Sequence, residues 1–319
     1  MSARTHAAWA GALALCATLL TGCQDPPASA DSGAPDTSYP QWAFPGTTTV
    51  SLQGSQAAYS EVQMYDRTMA VDWYPESHPA MPDAVTGRPP TFACGFCHLP
   101  QGAGRSENAA LAGLPYAYIV QQAQDMRAGL RKSPNPKFGP AMNMQTTIKQ
   151  VSDADIQDAA RYFSSLTFKK HLKIVESDTV PRFTADAFVW VIDTRGDRQP
   201  LGQRIIEGPD DFEGFERRDP NMTFTAYVPT GAIADGEYLA AGKGSRPACA
   251  SCHGVGLKGG QIGPPIAGRL PTYIFRQLYA IKSGTRRGAD AVARMKPIVD
   301  GLSQKDMVDL AAYVASLDP

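Results

Sequence analysis

The string Cys94-Gly95-Phe96-Cys97-His98 recurs as Cys249-Ala250-Ser251-Cys252-His253. These four thiols are all the cysteines of the chain except Cys16 and Cys23, near its start. Two thiols three positions apart lie on one side of a helical turn, with an imidazole beside them. They can form thioethers to the two vinyl groups of one haem while the histidine faces the iron, and Cys-x-x-Cys-His is the haem c attachment signature. A thioredoxin-like redox pair needs a βαβ context, which neither string has. A Cys₄ zinc site or a disulfide framework would leave both histidines without a purpose.

The segments downstream of the two strings also repeat. Leu111-Ala112-Gly113, Tyr118-Ile119-x-x-Gln122 and Gly129-x-Arg131 match Ile266-Ala267-Gly268, Tyr273-Ile274-x-x-Gln277 and Gly284-x-Arg286. The motif histidine stands 20 residues before the tyrosine in both, and the tyrosine 11 before the glycine. Each copy ends in a segment with helical spacing, Ser152 to Leu166 and Ser303 to Leu317. Both open on a serine with an aspartate three residues on, an N-cap and first-turn acid. Ile156, Ala159, Ala160 and Phe163 form one apolar stripe; Met307, Leu310, Ala311 and Val314 form the other. One small helical unit is therefore present twice. Met144 and Met295 each lie seven residues before the apolar residue that precedes the last helix (Val151, Leu302), which makes them the candidate sixth iron ligands. Met142 and Met126 compete with Met144.

The arrangement resembles the class I cytochromes c, specifically the two-domain, two-haem periplasmic carriers, over Phe92 to Leu166 and Ile233 to Leu317. The resemblance implies a mainly α chain with two tandem cytochrome c domains. Each would have a motif helix, a Gly/Pro loop, a central helix, a Met-bearing loop and a C-terminal helix packed on the first. It implies two covalently bound haem c groups, held by Cys94, Cys97, Cys249 and Cys252, with iron ligands His98, Met144, His253 and Met295. In that family a proline carbonyl after the motif accepts from the proximal histidine. Pro264 or Pro265 matches in the second copy, whereas the first has Ala109 and Ala110. Arg131 and Arg286 are candidates for haem propionates or for a solvated surface.

Arg4 and His6 precede an apolar run, Ala7 to Leu20, too short to span a bilayer. Leu20-Thr21-Gly22-Cys23 resembles the bacterial lipobox. It predicts a signal peptide at 1–22, lipidation of Cys23, and a tether rich in Pro, Ala and Ser at 23–45. A strap and the first domain occupy 46–170, a small β-rich insert 171–230, and the second domain 231–319. Phe188 to Ile192, Gln203 to Ile206 and Thr225 to Pro229 read as short strands. His78 and His171 read as strap or surface residues. A net charge of −1 gives no basic field for nucleic acid.

These features predict a periplasmic, lipid-anchored electron carrier rather than an enzyme. It would pass single electrons between a donor and an acceptor of a respiratory chain, its partners a dehydrogenase, an oxidase or a cytochrome complex. The alternatives are a dihaem peroxidase and the cytochrome subunit of a membrane dehydrogenase complex.

Overall fold

The computed structural model describes residues 48–242 and 246–319. The expected signal peptide, Cys23 and the expected tether lie outside the described residues. The first copy contains α3 (Cys94–His98), α4 (Tyr116–Arg127), α5 (Gly139–Ile148) and α6 (Asp153–Ser165). The second contains α8 (Ala232–Ala240), α9 (Ala250–His253), α10 (Pro271–Lys282), α11 (Asp290–Asp300) and α12 (Gln304–Ser316).

Both terminal helices start as their serines dictate. Ser152 Oγ accepts from the Asp155 amide. Ser303 Oγ accepts from the Asp306 amide, and the Asp306 carboxylate accepts from the Ser303 amide in return. Their apolar stripes are buried, and α4 packs on α6 as α10 packs on α12. In the second copy α8 crosses α12 at Gly236, where a Cβ would stand 2.1 Å from the Asp309 carbonyl oxygen. In the first copy a single turn, α2 (Asp83–Thr86), packs on the last helix beside α4, where the second copy has α8.

The methionine segments differ from the loops the resemblance implies. Met144 lies within α5 and Met295 within α11, the latter two residues before an internal proline, Pro297. Pro140 supports this at the start of α5, where a ring costs no hydrogen bond.

A strap precedes the first motif. It comprises a short hairpin, β1 (Thr49–Val50) with β2 (Tyr59–Ser60), then α1 (Glu61–Tyr65) and α2. Met64, Val71 and Trp73 form its small core.

The segment between the copies is β-rich. β3 (Leu172–Glu176) runs parallel to β7 (Phe224–Val228), which pairs antiparallel with β6 (Ile206–Pro209). β4 (Thr179–Asp186) and β5 (Val189–Pro200) form a hairpin, and α7 (Phe212–Glu216) precedes β7. The strand expected from Gln203 begins only at Ile206, because the Arg204 guanidinium turns back to the carbonyls of Pro200 and Leu201. This segment touches both copies. Phe215, Met222 and Phe224 enclose Leu99 and Leu270. Glu207 on β6 accepts from the amide and hydroxyl of Thr272, satisfying the N-terminus of α10, whose own N-cap, Leu270, has no side-chain acceptor.

Candidate haem sites

Each motif histidine is set by a backbone carbonyl. His98 Nδ1 lies 2.7 Å from the Ala109 oxygen, and His253 Nδ1 lies 2.9 Å from the Pro264 oxygen, eleven residues downstream in both. A carbonyl can only accept, so Nδ1 carries the proton and Nε2 keeps its lone pair. The first copy therefore has its proximal bond without a proline, since any residue supplies the carbonyl. Burial lowers both imidazoles below the usual histidine range, which keeps them neutral and able to ligate.

Burial raises the thiols, Cys94 to about 12, and Cys97 and Cys249 in the same direction. All four cysteines are free. Among the described residues no three His, Cys, Asp or Glu converge on a metal position, so the cysteines do not form one zinc centre.

A cavity of about 320 Å³ adjoins the first string. Cys94, Cys97, His98, Met126 and Met144 line it, with Ile119, Ile148 and Phe163 between. Phe163 also meets the His98 ring edge-on, centroids 6.3 Å apart. Two thiols, an imidazole and thioethers around apolar walls are the donor set and surroundings that haem c requires, so these residues fit the group. Met142 is 52% exposed and does not line the cavity, whereas Met126 does. In the second copy, Cys249 and Met295 pack on one cluster built from Leu257, Leu278, Val299 and Leu310.

Histidines elsewhere are engaged differently. His78 Nε2 is 3.1 Å from Asp72, with Nδ1 at the Pro79 carbonyl. His171 packs on Phe168 and Phe224, its Nδ1 at the Lys169 carbonyl. Neither lines the cavity.

The repeated Tyr, Gln and Arg form a lattice across the two copies. Arg131 donates to Gln122 (3.0 Å) within its copy, and to Gln277 (3.0 Å) and the Tyr273 hydroxyl (3.2 Å) of the other. Arg286 mirrors it, donating to Gln277 (3.0 Å), Gln122 (2.9 Å) and the Tyr118 hydroxyl (3.0 Å). The backbone closes the seam, Lys132 N–H donating to Thr285 and Arg287 N–H to Leu130. Both arginines are buried, 9% and 8% exposed, so neither is a solvated surface residue. Burial would raise the Tyr273 phenol, but Arg131 and Arg286 outweigh it and bring it below its usual value. Arg269 adds two bonds of 2.9 Å to the Ala110 and Ala112 carbonyls and stacks on Phe168. Identical spacing signalled a duplication; that the repeated polar residues join the copies was not readable from one chain. Arg276, at a position occupied by Gln121 in the other copy, reaches the first cavity from α10 and donates to the Ser106 carbonyl.

Comparison with known proteins identifies the family. The family model for cytochrome c matches residues 233–318. Cytochrome c4 of Stutzerimonas stutzeri is 38% identical over 239 residues, covering 74% of this chain and 89% of that protein. Cytochrome c4 of Pseudomonas aeruginosa is 25% identical over the same length, with the same coverage. A thiosulfate dehydrogenase (TsdBA) from Marichromatium purpuratum overlaps 71% of this chain and 36% of its own, at TM-score 0.46 and 25% identity. Two attachment strings on a duplicated helical unit, with this similarity across both, lead to one conclusion: the chain belongs to the cytochrome c4 family, two-haem class I c-type cytochromes with covalently bound haem c that act in electron transfer.

Proposed function

We propose that this protein is a membrane-tethered periplasmic carrier, taking single electrons from a membrane or periplasmic donor and passing them to a respiratory acceptor without a substrate reaction of its own. The observation that carries this reading is the pair of half-buried imidazoles, each fixed by a carbonyl eleven residues on, with Met144 lining the first cavity and Met295 packed on the same cluster as Cys249. When bound, each haem supplies an iron that changes by one electron between ferric and ferrous. Cys94 and Cys97, then Cys249 and Cys252, would hold the two groups. His98 and His253 would present Nε2, and Met144 and Met295 the sixth ligand. A thioether favours the ferrous state, and six-coordination leaves no open position for a substrate.

The domains are 46–170 and 231–319, joined by the insert at 171–230. Cys23 is the lipid site, 23–45 the tether, and 1–22 the leader that directs export. The partners are a redox protein donor and acceptor: a dehydrogenase, an oxidase or another cytochrome complex.

The test is pyridine haemochrome quantitation with near-infrared magnetic circular dichroism of the full chain. Two haems per chain, both low-spin with Met-to-ferric-iron absorption, are expected. Met144→Ala and Met295→Ala should each remove half of that band. Half intensity in the unaltered protein, with a high-spin component, would overturn the carrier reading in favour of the peroxidase. Fatty-acid labelling lost in Cys23→Ser tests the anchor.

A further inference from the structure

The two attachment strings face different surroundings. Around the first, Phe96 is 7% exposed and Leu99 1%. The strap lies against Gly95, where an added Cβ would stand 2.8 Å from both Ala70 Cβ and the Val85 oxygen. From the insert, the Arg218 guanidinium sits 4.0 Å from the centre of the Phe96 ring. Strap and insert then lock together: the Trp73 indole N–H donates to the Arg217 carbonyl (2.7 Å), and the Tyr65 hydroxyl donates to Glu216 (2.6 Å). Leu99 takes up a left-handed φ of 63° to enter the insert's core.

Nothing comparable covers the second string among the described residues. Ala250 and Ser251 are exposed, Val255 is 92% exposed and Ile262 45%. Gly254 replaces Leu99 at the left-handed position, so no side chain there enters a covering core. Charge differs as well. Residues 246–289 contain no acid, and of their cations Arg269 and Arg286 are buried in the seam while Lys258 is exposed and Arg246 partly so, whereas the strap, 48–91, contains five acids and two Arg. Arg246 and Lys258 flank the exposed patch. Lys258 also donates to the Pro319 carbonyl (3.2 Å), while Asp300 and Asp318 are paired with Lys296 and Lys170.

The cysteine sulfurs would bond the haem, so the surface outside each string would offer an electron a short path into or out of the protein. We propose that the patch around Ala250–Ile262 is the docking surface for a one-electron redox protein with an acidic rim. The equivalent surface of the first copy is closed by the chain's own strap and insert. In the exchange one electron leaves the partner's centre, which is oxidised by one, and one haem iron passes from ferric to ferrous. No atom or proton is transferred. This surface rests on the carrier reading. An apolar centre excludes water while opposite charge at the rim steers encounter, a combination suited to brief complexes.

The test uses the haem-loaded full chain with photoreduced acidic flavodoxin as donor, following flash-induced reduction at low ionic strength. Lys258→Glu and Val255→Asp alter exposed side chains and should each slow the second-order rate at least fivefold. Val62→Asp, on the strap and 65% exposed in the native chain, should leave it unchanged. Oxidised flavodoxin titrated into labelled protein should shift amides of residues 250–262 and not those of 61–66. Unchanged rates in the first two variants, equal slowing by Val62→Asp, shifts on the strap, or no reaction with flavodoxin would each overturn the proposal. Dithionite separates the two readings: haems reduced by dithionite in a protein whose variants behave alike leave the carrier reading standing and remove only this surface.

Discussion

Replacing Arg131 by Met tests whether the repeated polar residues hold the two copies together. The guanidinium makes three bonds, to Gln122, Gln277 and the Tyr273 hydroxyl, in a buried seam. A hydrogen bond to a charged group contributes about 1.5–3 kcal/mol net, so three set an upper bound of roughly 5–9 kcal/mol. Two terms reduce it. Arg286 still donates to both glutamines, and removing one of two neighbouring buried cations relieves their repulsion. The expected cost is about 3 kcal/mol, a fall in Tm of roughly 6–12 °C for a chain of this size. Equilibrium urea unfolding of the haem-loaded protein, followed by far-ultraviolet circular dichroism, reads it. Arg131→Lys keeps the charge but lacks the planar fork that reaches both glutamines, so it should recover at most half of the loss. A cost below about 1 kcal/mol for Arg131→Met, or full recovery by lysine, would refute the lattice as a fastener.

Leu99→Ala should cost about 2–5 kcal/mol by emptying its place against Phe215, Phe224 and Leu270. Leu99→Gly loses more side chain but relieves about 1 kcal/mol of left-handed strain, so the two variants should unfold at nearly the same urea concentration. Burial raises the Glu207 carboxyl above its usual value despite the bonds from Thr272. Ionisation of this group therefore opposes folding: its contribution is fully present below the ordinary carboxyl value and is lost as pH rises through the folded-state value. Glu207→Gln cannot ionise, so a Tm series should show the variant gaining on the native chain as pH rises above the ordinary carboxyl value; a constant gap would contradict this. Arg276 is a cation lining the first cavity, and positive charge favours ferrous over ferric iron. Arg276→Gln should lower one of the two reduction potentials by up to about 59 mV, a tenfold change in that equilibrium. Potentiometric titration with optical detection would show both.

The parts legible in the sequence were those carried by local rules. Ser152 and Ser303 cap the helices they were expected to begin, because serine, acid and apolar spacing act within one turn. The attachment strings were legible because their chemistry needs fixed neighbours. What escaped depends on contacts distant in sequence. His98 finds the Ala109 carbonyl because loop geometry, not proline, brings it there. That Arg131 and Arg286 are not solvated surface residues was hidden because their partners lie more than 140 positions away in the other copy. Register singled out Met144 and Met295 as candidates, but not the helices around them, since a family loop was the expectation.

Duplication and divergence divide the labour in this molecule. Residues alike in the two copies, Tyr118 with Tyr273, Gln122 with Gln277 and Arg131 with Arg286, face one another and hold the copies in one fixed relation. Such a seam works only while both halves keep the same residues, since each arginine serves the glutamine of the other. Positions where the copies differ lie around the haem sites. Leu99 is drawn under the insert where Gly254 leaves its string open. Glu107, ion-paired with Arg105, lines the first cavity where the second copy has the half-exposed Ile262. Arg276 enters that cavity from across the seam, while Gln121 turns to its own Asp125. A symmetric joint thus carries two sites that differ in cover and charge. On the proposed docking surface, that inequality lets a partner reach the second site more easily than the first.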